Sequence, residues 1–414
     1  MDWQLSDDAQ PASRVPAARL AELGSGPGSA PGAWLGSERA PVPVTGAWRP
    51  GDDPGERRFA RIGDLDVEAG GTIADAVVAY ETWGTLDETR GNAVLVLHAL
   101  TGHSHVRGQA GPGHPTAGWW EEVVGPGLAI DTDRHFVVAP NMLGGCQGTT
   151  GPASLGPDGV ELGSRFPRVT VRDQVEAQRR LADRLGIERW HAVVGGSMGG
   201  MHALEWAVTH PERVGSAALL ASNAATSADQ IAQNTLQIEA VANDPGWLGG
   251  DFYDLPGHAG PGRGLALARR MAMLGYRSQQ ELNERFRREW QSSVDPLAGG
   301  RFQVESYLDV HGNRFTRRFD AGSYVRLVDA MTTHDVGRGR GGVEAALERI
   351  TSPTLVVGIS SDRLFPVADQ RRLAAGIPTS TSGTEPVVLE SGFGHDAFLI
   401  ESGRVGDLLA SLIA

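Results

Sequence analysis

The chain has no lysine: its 37 basic residues other than histidine are all arginine. Two chemistries go with that absence, because without an ε-amine there is no Schiff base to pyridoxal phosphate and no Gly-Lys-Ser/Thr phosphate loop. Cysteine is nearly absent as well. Cys146 alone cannot close an internal disulfide, which fits a reducing compartment. Long apolar runs are missing, and the longest, near residues 93–100, is too short to span a bilayer. The opening residues lack the basic stretch and apolar run of a secretory signal, so a cytoplasmic location without a membrane partner is expected. Positive charge is also in deficit. A net charge of −13 with no basic stripe repels phosphate backbones, which argues against nucleic acid as a partner and for small-molecule substrates.

What is present organises itself along the chain. At 414 residues the length suits one large domain with an insertion, or two domains sharing a core. Residues 1–56 are dense in Pro, Gly, Ala and Ser without a sustained apolar period, and are expected to form an extended or disordered arm. From Arg57 onward, β-like runs at 76–82, 93–98, 136–139, 191–194, 217–220, 354–358 and 386–389 alternate with helical patterns such as 171–185 and 198–209. This alternation predicts an α/β fold with a mostly parallel central sheet covered by helices. Over 224–349 the strand signal stops and the sequence turns polar and helical. That stretch predicts a helical lid inserted between the core segments 57–223 and 350–414. Asp335 and the run 337–342 within it read as a solvated loop.

Directly after the strand at 191–194 comes Gly195-Gly196-Ser197-Met198-Gly199-Gly200, followed at once by a helix. This is a G-x-S-x-G elbow in its strand–turn–helix context, which puts a serine on a tight turn at a helix N-terminus. A serine hydroxyl becomes nucleophilic only when a histidine takes its proton, and that histidine needs an acid to fix its tautomer. Asp362 follows the strand at 354–358 and His395 follows the strand at 386–389, in the order serine, acid, histidine that this fold demands. Singly, Asp362 could be a turn or capping residue and His395 a solvated loop histidine. Their joint placement past strand ends favours the catalytic reading. An oxyanion hole requires two N–H donors, for which Met198 and Leu100, or a neighbour of Leu100 in the loop after the strand at 93–98, are the candidates. His98 sits too early on its strand to act as a base and reads as structural. Cys146, Thr149 and Thr150 are left between a pocket-lining and a turn-forming role.

Several segments resemble the homoserine O-acyltransferases of the α/β-hydrolase superfamily: 98–106, 141–152, 166–173, the elbow, and 394–399. The resemblance runs from about Arg57 to the end. It implies ping-pong transfer of an acetyl group from acetyl-CoA through Ser197 to the side-chain hydroxyl of homoserine, in methionine biosynthesis. It also implies a homodimer, no bound cofactor and no metal. Arg269 would hold the acceptor's carboxylate with Tyr276 as a helper, and Asp396 its ammonium. Where the family's lid carries a His-Leu-Thr-Tyr-like run, this chain has Met273-Leu274-Gly275-Tyr276. A succinyl donor, serine as acceptor, and plain ester hydrolysis remain the alternatives.

Overall fold

The computed structural model describes residues 42–414, so the expected arm lies outside the described residues over 1–41. Among the described residues an eight-stranded sheet forms the centre: β1 (Arg58–Asp66), β2 (Thr72–Trp83), β3 (Ala93–Leu97), β4 (Phe136–Pro140), β5 (Ala192–Gly196), β6 (Ala217–Leu220), β7 (Thr354–Ile359) and β8 (Val387–Leu389). Their spatial order is β1-β2-β4-β3-β5-β6-β7-β8. Only the β1–β2 and β2–β4 pairs are antiparallel; the others run parallel, as the alternation of strand and helix predicted. All seven expected strands are present. β1 is an addition, and bulges around Gly63 interrupt its alternation.

The strand period of two explains the two-sided core. Leu95, Leu97, Val193, Leu219 and Val356 face one layer, while Val94, Val96, Val194, Leu220 and Val357 face the other. The first layer is closed by α1 (Val171–Leu185) and α2 (Met198–Thr209), both at the predicted bounds. Thr170 and Asp173 form a capping box at the start of α1, and Gly186 ends it in the left-handed region. The second layer is closed by Trp120, Phe398 and the helix Ser402–Ile413.

Between β6 and β7 the chain forms helices and loops, with α3 (Ala228–Ala242), α4 (Gly262–Tyr276), α5 (Gln279–Phe286), α6 (Gln303–Phe315) and α7 (Ala321–Thr332) the main ones. No described helix is long and apolar enough to cross a membrane. The run 337–342 is a loop with Gly339, Gly341 and Gly342 exposed, as its composition suggested, but it is not solvated throughout. Val336 is fully buried beside it, and the Arg340 guanidinium reaches the buried carboxylate of Glu205 at 3.1 Å. A charge inside α2 thereby gains its partner from a segment that reads as polar surface.

The junction of β5 with α2 is the tightest point of the fold. A Cβ on Gly195 would overlap the Gly199 carbonyl, and one on Gly199 would overlap the Leu97 carbonyl at the end of β3. Gly199→Ala should therefore destabilise the protein by about 1–3 kcal/mol, because the obstruction is backbone that cannot rotate away. Thermal unfolding checks this: a melting temperature equal to the parent's would mean the strand and helix can separate freely here.

Candidate active site

Ser197 sits at that junction with φ 58° and ψ −124°, a region that residues bearing a side chain rarely adopt. The conformation is held from both sides. The Ser197 N–H donates to the Leu220 carbonyl at 2.9 Å, and the Ser197 carbonyl accepts from Gly200 N–H and from the Ser222 hydroxyl, each also at 2.9 Å. The turn thus projects the serine from the C-terminal edge of the sheet at the start of α2.

Asp362 and His395 emerge on the same edge, past β7 and β8. Asp362 Oδ1 accepts the N–H groups of Leu364 and Phe365 at 2.8 and 2.9 Å, which leaves Oδ2 to bind His395 Nδ1 at 2.7 Å. The imidazole is 3% exposed and packs among Tyr276, Phe365 and Phe398. Its other nitrogen, Nε2, is buried and has no hydrogen-bond partner among the described residues. Burial opposes the imidazolium, but the charge and hydrogen bond of Asp362, helped by Asp396, outweigh it and raise the His395 pKa above its ordinary value.

Ser197 and Leu100 line one pocket with Tyr276, Phe365 and a row of amides from α3, namely Gln230, Gln233, Asn234 and Gln237. Neither Leu100 N–H nor Met198 N–H donates to any described residue. Both are available to an oxyanion, and Met198 adds the field of a helix N-terminus. The loop carrying Leu100 is fixed at both ends. His98 accepts from Met142 N–H at 3.2 Å and bonds the Ala99 carbonyl at 2.7 Å, and burial lowers its pKa to about 4, so it stays neutral and structural. Farther along, the Ser104 hydroxyl donates to Glu81 at 2.6 Å, and the Ser104 N–H donates to Asn141 Oδ1 at 2.8 Å.

Glu81 also binds His105 at 2.8 Å, with His114 stacked on His105, and the three side chains come close enough to suggest a metal site. Their contacts favour a brace instead. Glu81 is engaged by Ser104 and His105, and His114 Nε2 accepts from Glu56 N–H at 3.1 Å. Thr149 and Thr150 prove to be turn residues, taking the N–H groups of Ala79 and Val77 on β2 at 2.9 and 2.8 Å. Cys146 is buried, and desolvation pushes its thiol up to about 12.

Arg269 has two arginine neighbours in the sequence, Arg270 and Arg277, and the structure separates the three. Arg270 is paired with Asp309 at 2.7 Å. Arg277 lies 3.4 Å from Asp396 and 3.7 Å from Glu281. Arg269 has no carboxylate partner among the described residues; it stacks 5.2 Å above the Tyr276 ring and donates to the Thr101 hydroxyl at 3.3 Å. Tyr276 is thus part of the pocket wall, while Asp396, beside His395, already shares its charge with Arg277. The amide row on α3 escaped sequence reading. Gln230, Gln233, Asn234 and Gln237, recurring at three- and four-residue steps, were the available signal.

A family model described as the alpha/beta hydrolase fold matches residues 92–402. The chain is 64% identical over 372 residues to a homoserine O-acetyltransferase of Clavibacter michiganensis subsp. michiganensis, covering 90% of this chain and 96% of that one. Among solved structures it resembles a homoserine O-acetyltransferase from Bacillus anthracis, with TM-score 0.78 and 27% identity over 86% of this chain and 97% of that one. It also resembles esterase E22, with TM-score 0.77 and 26% identity over 87% of this chain and 100% of that one.

The electrostatics of the buried pair can be tested directly. The His395 imidazole should titrate above about 6.5, and in Asp362→Asn below it, since burial then loses its main opponent. A proton NMR titration of His395 reads both values, and an unchanged pKa in the variant would contradict this account of the pair.

Proposed function

The chain belongs to the homoserine O-acetyltransferase family of the α/β-hydrolase fold, and from that premise we propose that it transfers an acetyl group from acetyl-CoA to the hydroxyl of L-homoserine through an acyl-Ser197 intermediate. The observation that carries this reading is the free Nε2 of His395, buried on an imidazole whose other nitrogen is held by Asp362. Such a nitrogen can accept a proton, and Tyr276 and Phe365, which pack against the His395 ring, line a pocket with Ser197.

In the first half-reaction Ser197 Oγ attacks the thioester carbonyl while His395 Nε2 takes the hydroxyl proton. The oxyanion is received by the N–H groups of Leu100 and Met198. Collapse breaks the C–S bond, and the proton on His395 passes to the departing thiolate of CoA. In the second half the homoserine hydroxyl gives its proton to His395 and attacks the acyl-serine. Ser197 leaves with that proton, and O-acetylhomoserine is released. No resident cofactor is needed, as acetyl-CoA is consumed as a substrate.

Arg269 supports the choice of an amino-acid acceptor. A guanidinium without a protein carboxylate, next to the pocket wall, suits the acceptor's carboxylate. Asp396 suits its ammonium, and the helical insertion acts as the lid that excludes water. This reading places the enzyme in methionine biosynthesis, as a cytoplasmic homodimer acting on soluble metabolites. The likeness to esterase E22 favours hydrolysis as the second reading.

Two experiments separate these readings. Mass spectrometry of the protein with acetyl-CoA alone should show an acetyl mass gain on Ser197, absent from Ser197→Ala. With homoserine added, the product should be O-acetylhomoserine rather than free acetate. Free acetate as the main product would establish an esterase, and a faster reaction with succinyl-CoA or with serine would change the donor or the acceptor. In Arg269→Ala, kcat/KM for homoserine should fall about 10–100-fold, the worth of a charge-assisted contact, while acylation of Ser197 stays near the parent rate. Equal loss in both half-reactions would move Arg269 out of the acceptor site.

A further inference from the structure

A second guanidinium stands beside Arg269. Arg318, three residues past the end of α6, has its Cζ 5.1 Å from the centroid of the Phe315 ring, the same distance that Arg269 keeps from that ring. Both arginines also reach one residue. Arg269 donates to the Thr101 hydroxyl at 3.3 Å, and Arg318 Nη1 donates to the Thr101 carbonyl at 3.0 Å. Thr101 follows Leu100, whose N–H is free and which lines the pocket with Ser197.

No carboxylate lies within ion-pair distance of either guanidinium among the described residues, although Arg270 and Arg277 on the same stretch of chain each have one. Burial, and then the charge of Arg269, push the Arg318 pKa down to about 10. Two like charges held together in a partly desolvated place, with most of their N–H donors unused, form an arrangement that an arriving anion would complete.

We propose that Arg318 is the second arm of the acceptor site, so that Arg269 and Arg318 together hold the carboxylate of the incoming amino acid. This rests on the reading of Arg269 given above. The position favours a carboxylate over the phosphates of CoA. The carboxylate of homoserine is three carbons from its reacting hydroxyl and must bind close to Ser197. The phosphates of CoA lie at the far end of the pantetheine arm from the thioester. Arg318 therefore acts as a specificity-determining residue, selecting acceptors that bear a carboxylate in addition to a hydroxyl.

The test uses the full chain with Arg318→Gln and Arg318→Lys, and compares L-homoserine with 3-amino-1-propanol, which has the same hydroxyl and amine but no carboxylate. Arg318→Gln should lower kcat/KM for homoserine about 10–100-fold, chiefly through KM, and leave 3-amino-1-propanol unaffected. Arg318→Lys should recover part of the loss, because a point charge replaces a fork. Acylation of Ser197 by acetyl-CoA and by p-nitrophenyl acetate should proceed at parent rates in both variants. Slower acylation by acetyl-CoA alone would give Arg318 to CoA and overturn the proposal. So would equal loss in every assay, which marks a folding defect, or no loss at all. If the parent enzyme itself fails to prefer homoserine over 3-amino-1-propanol, the carboxylate reading of Arg269 falls as well. If the parent prefers homoserine and the Arg318 variants keep that preference, only the present inference falls.

Discussion

The backbone of Ser197, held in a conformation that costs about 1–3 kcal/mol, is the constraint around which the rest is arranged. A serine can stay there only if its neighbours on β5 and α2 are small enough for strand and helix to touch, and the Gly195 and Gly199 contacts show how little room remains. The same closeness sets the height of the loop after β3, because the Leu97 carbonyl is what a side chain on Gly199 would strike. Parallel pairing of β5 with β3 and with β6 then brings Leu100, Met198 and Ser197 to one edge without any further device. Four hydrogen bonds to the backbone of Ser197, each worth about 1 kcal/mol, are of the size needed to offset the strain.

Around this point the charges divide by whether they have partners. Two of the four arginines at the site are neutralised locally, Arg270 by Asp309 and Arg277 by Asp396. Arg269 and Arg318 are not. In a chain with net charge −13, an unneutralised pair of guanidiniums makes a local positive field that attracts a small anion and little else. Because every such group is arginine, the field persists across the whole range in which an imidazole titrates.

The sheet and the three candidate catalytic residues could be read from the sequence because each has a local signature. Strand runs such as 93–97 and 354–359 are continuous and apolar, and Asp362 and His395 follow strands within a few residues. β1 was missed because bulges at Gly63 break its alternation and it buries little besides Ile62 and Leu65. The choice among Arg269, Arg270 and Arg277 needs three dimensions. What distinguishes them is the presence of Asp309 or Asp396, and those carboxylates are distant in sequence. Arg318 left no signal for the same reason, since its link to Arg269 runs through Phe315 and Thr101 rather than through spacing. Arg340 misled in the opposite direction, its glycine-rich surroundings hiding a buried partner.

The donor loop from His98 to His105 is bolted to the sheet by Glu81, Asn141 and Met142, all on or beside β2 and β4. The arginines proposed to hold the acceptor come instead from the helical insertion, and the two pieces of chain meet at Thr101. In the proposed function, acyl chemistry and acceptor choice are thereby anchored separately. Lineages could exchange, lengthen or reshape the insertion while the cradle for the acyl group is inherited intact. One scaffold can then serve esterases and transferases alike, with divergence confined to the half of the site that the sheet does not hold.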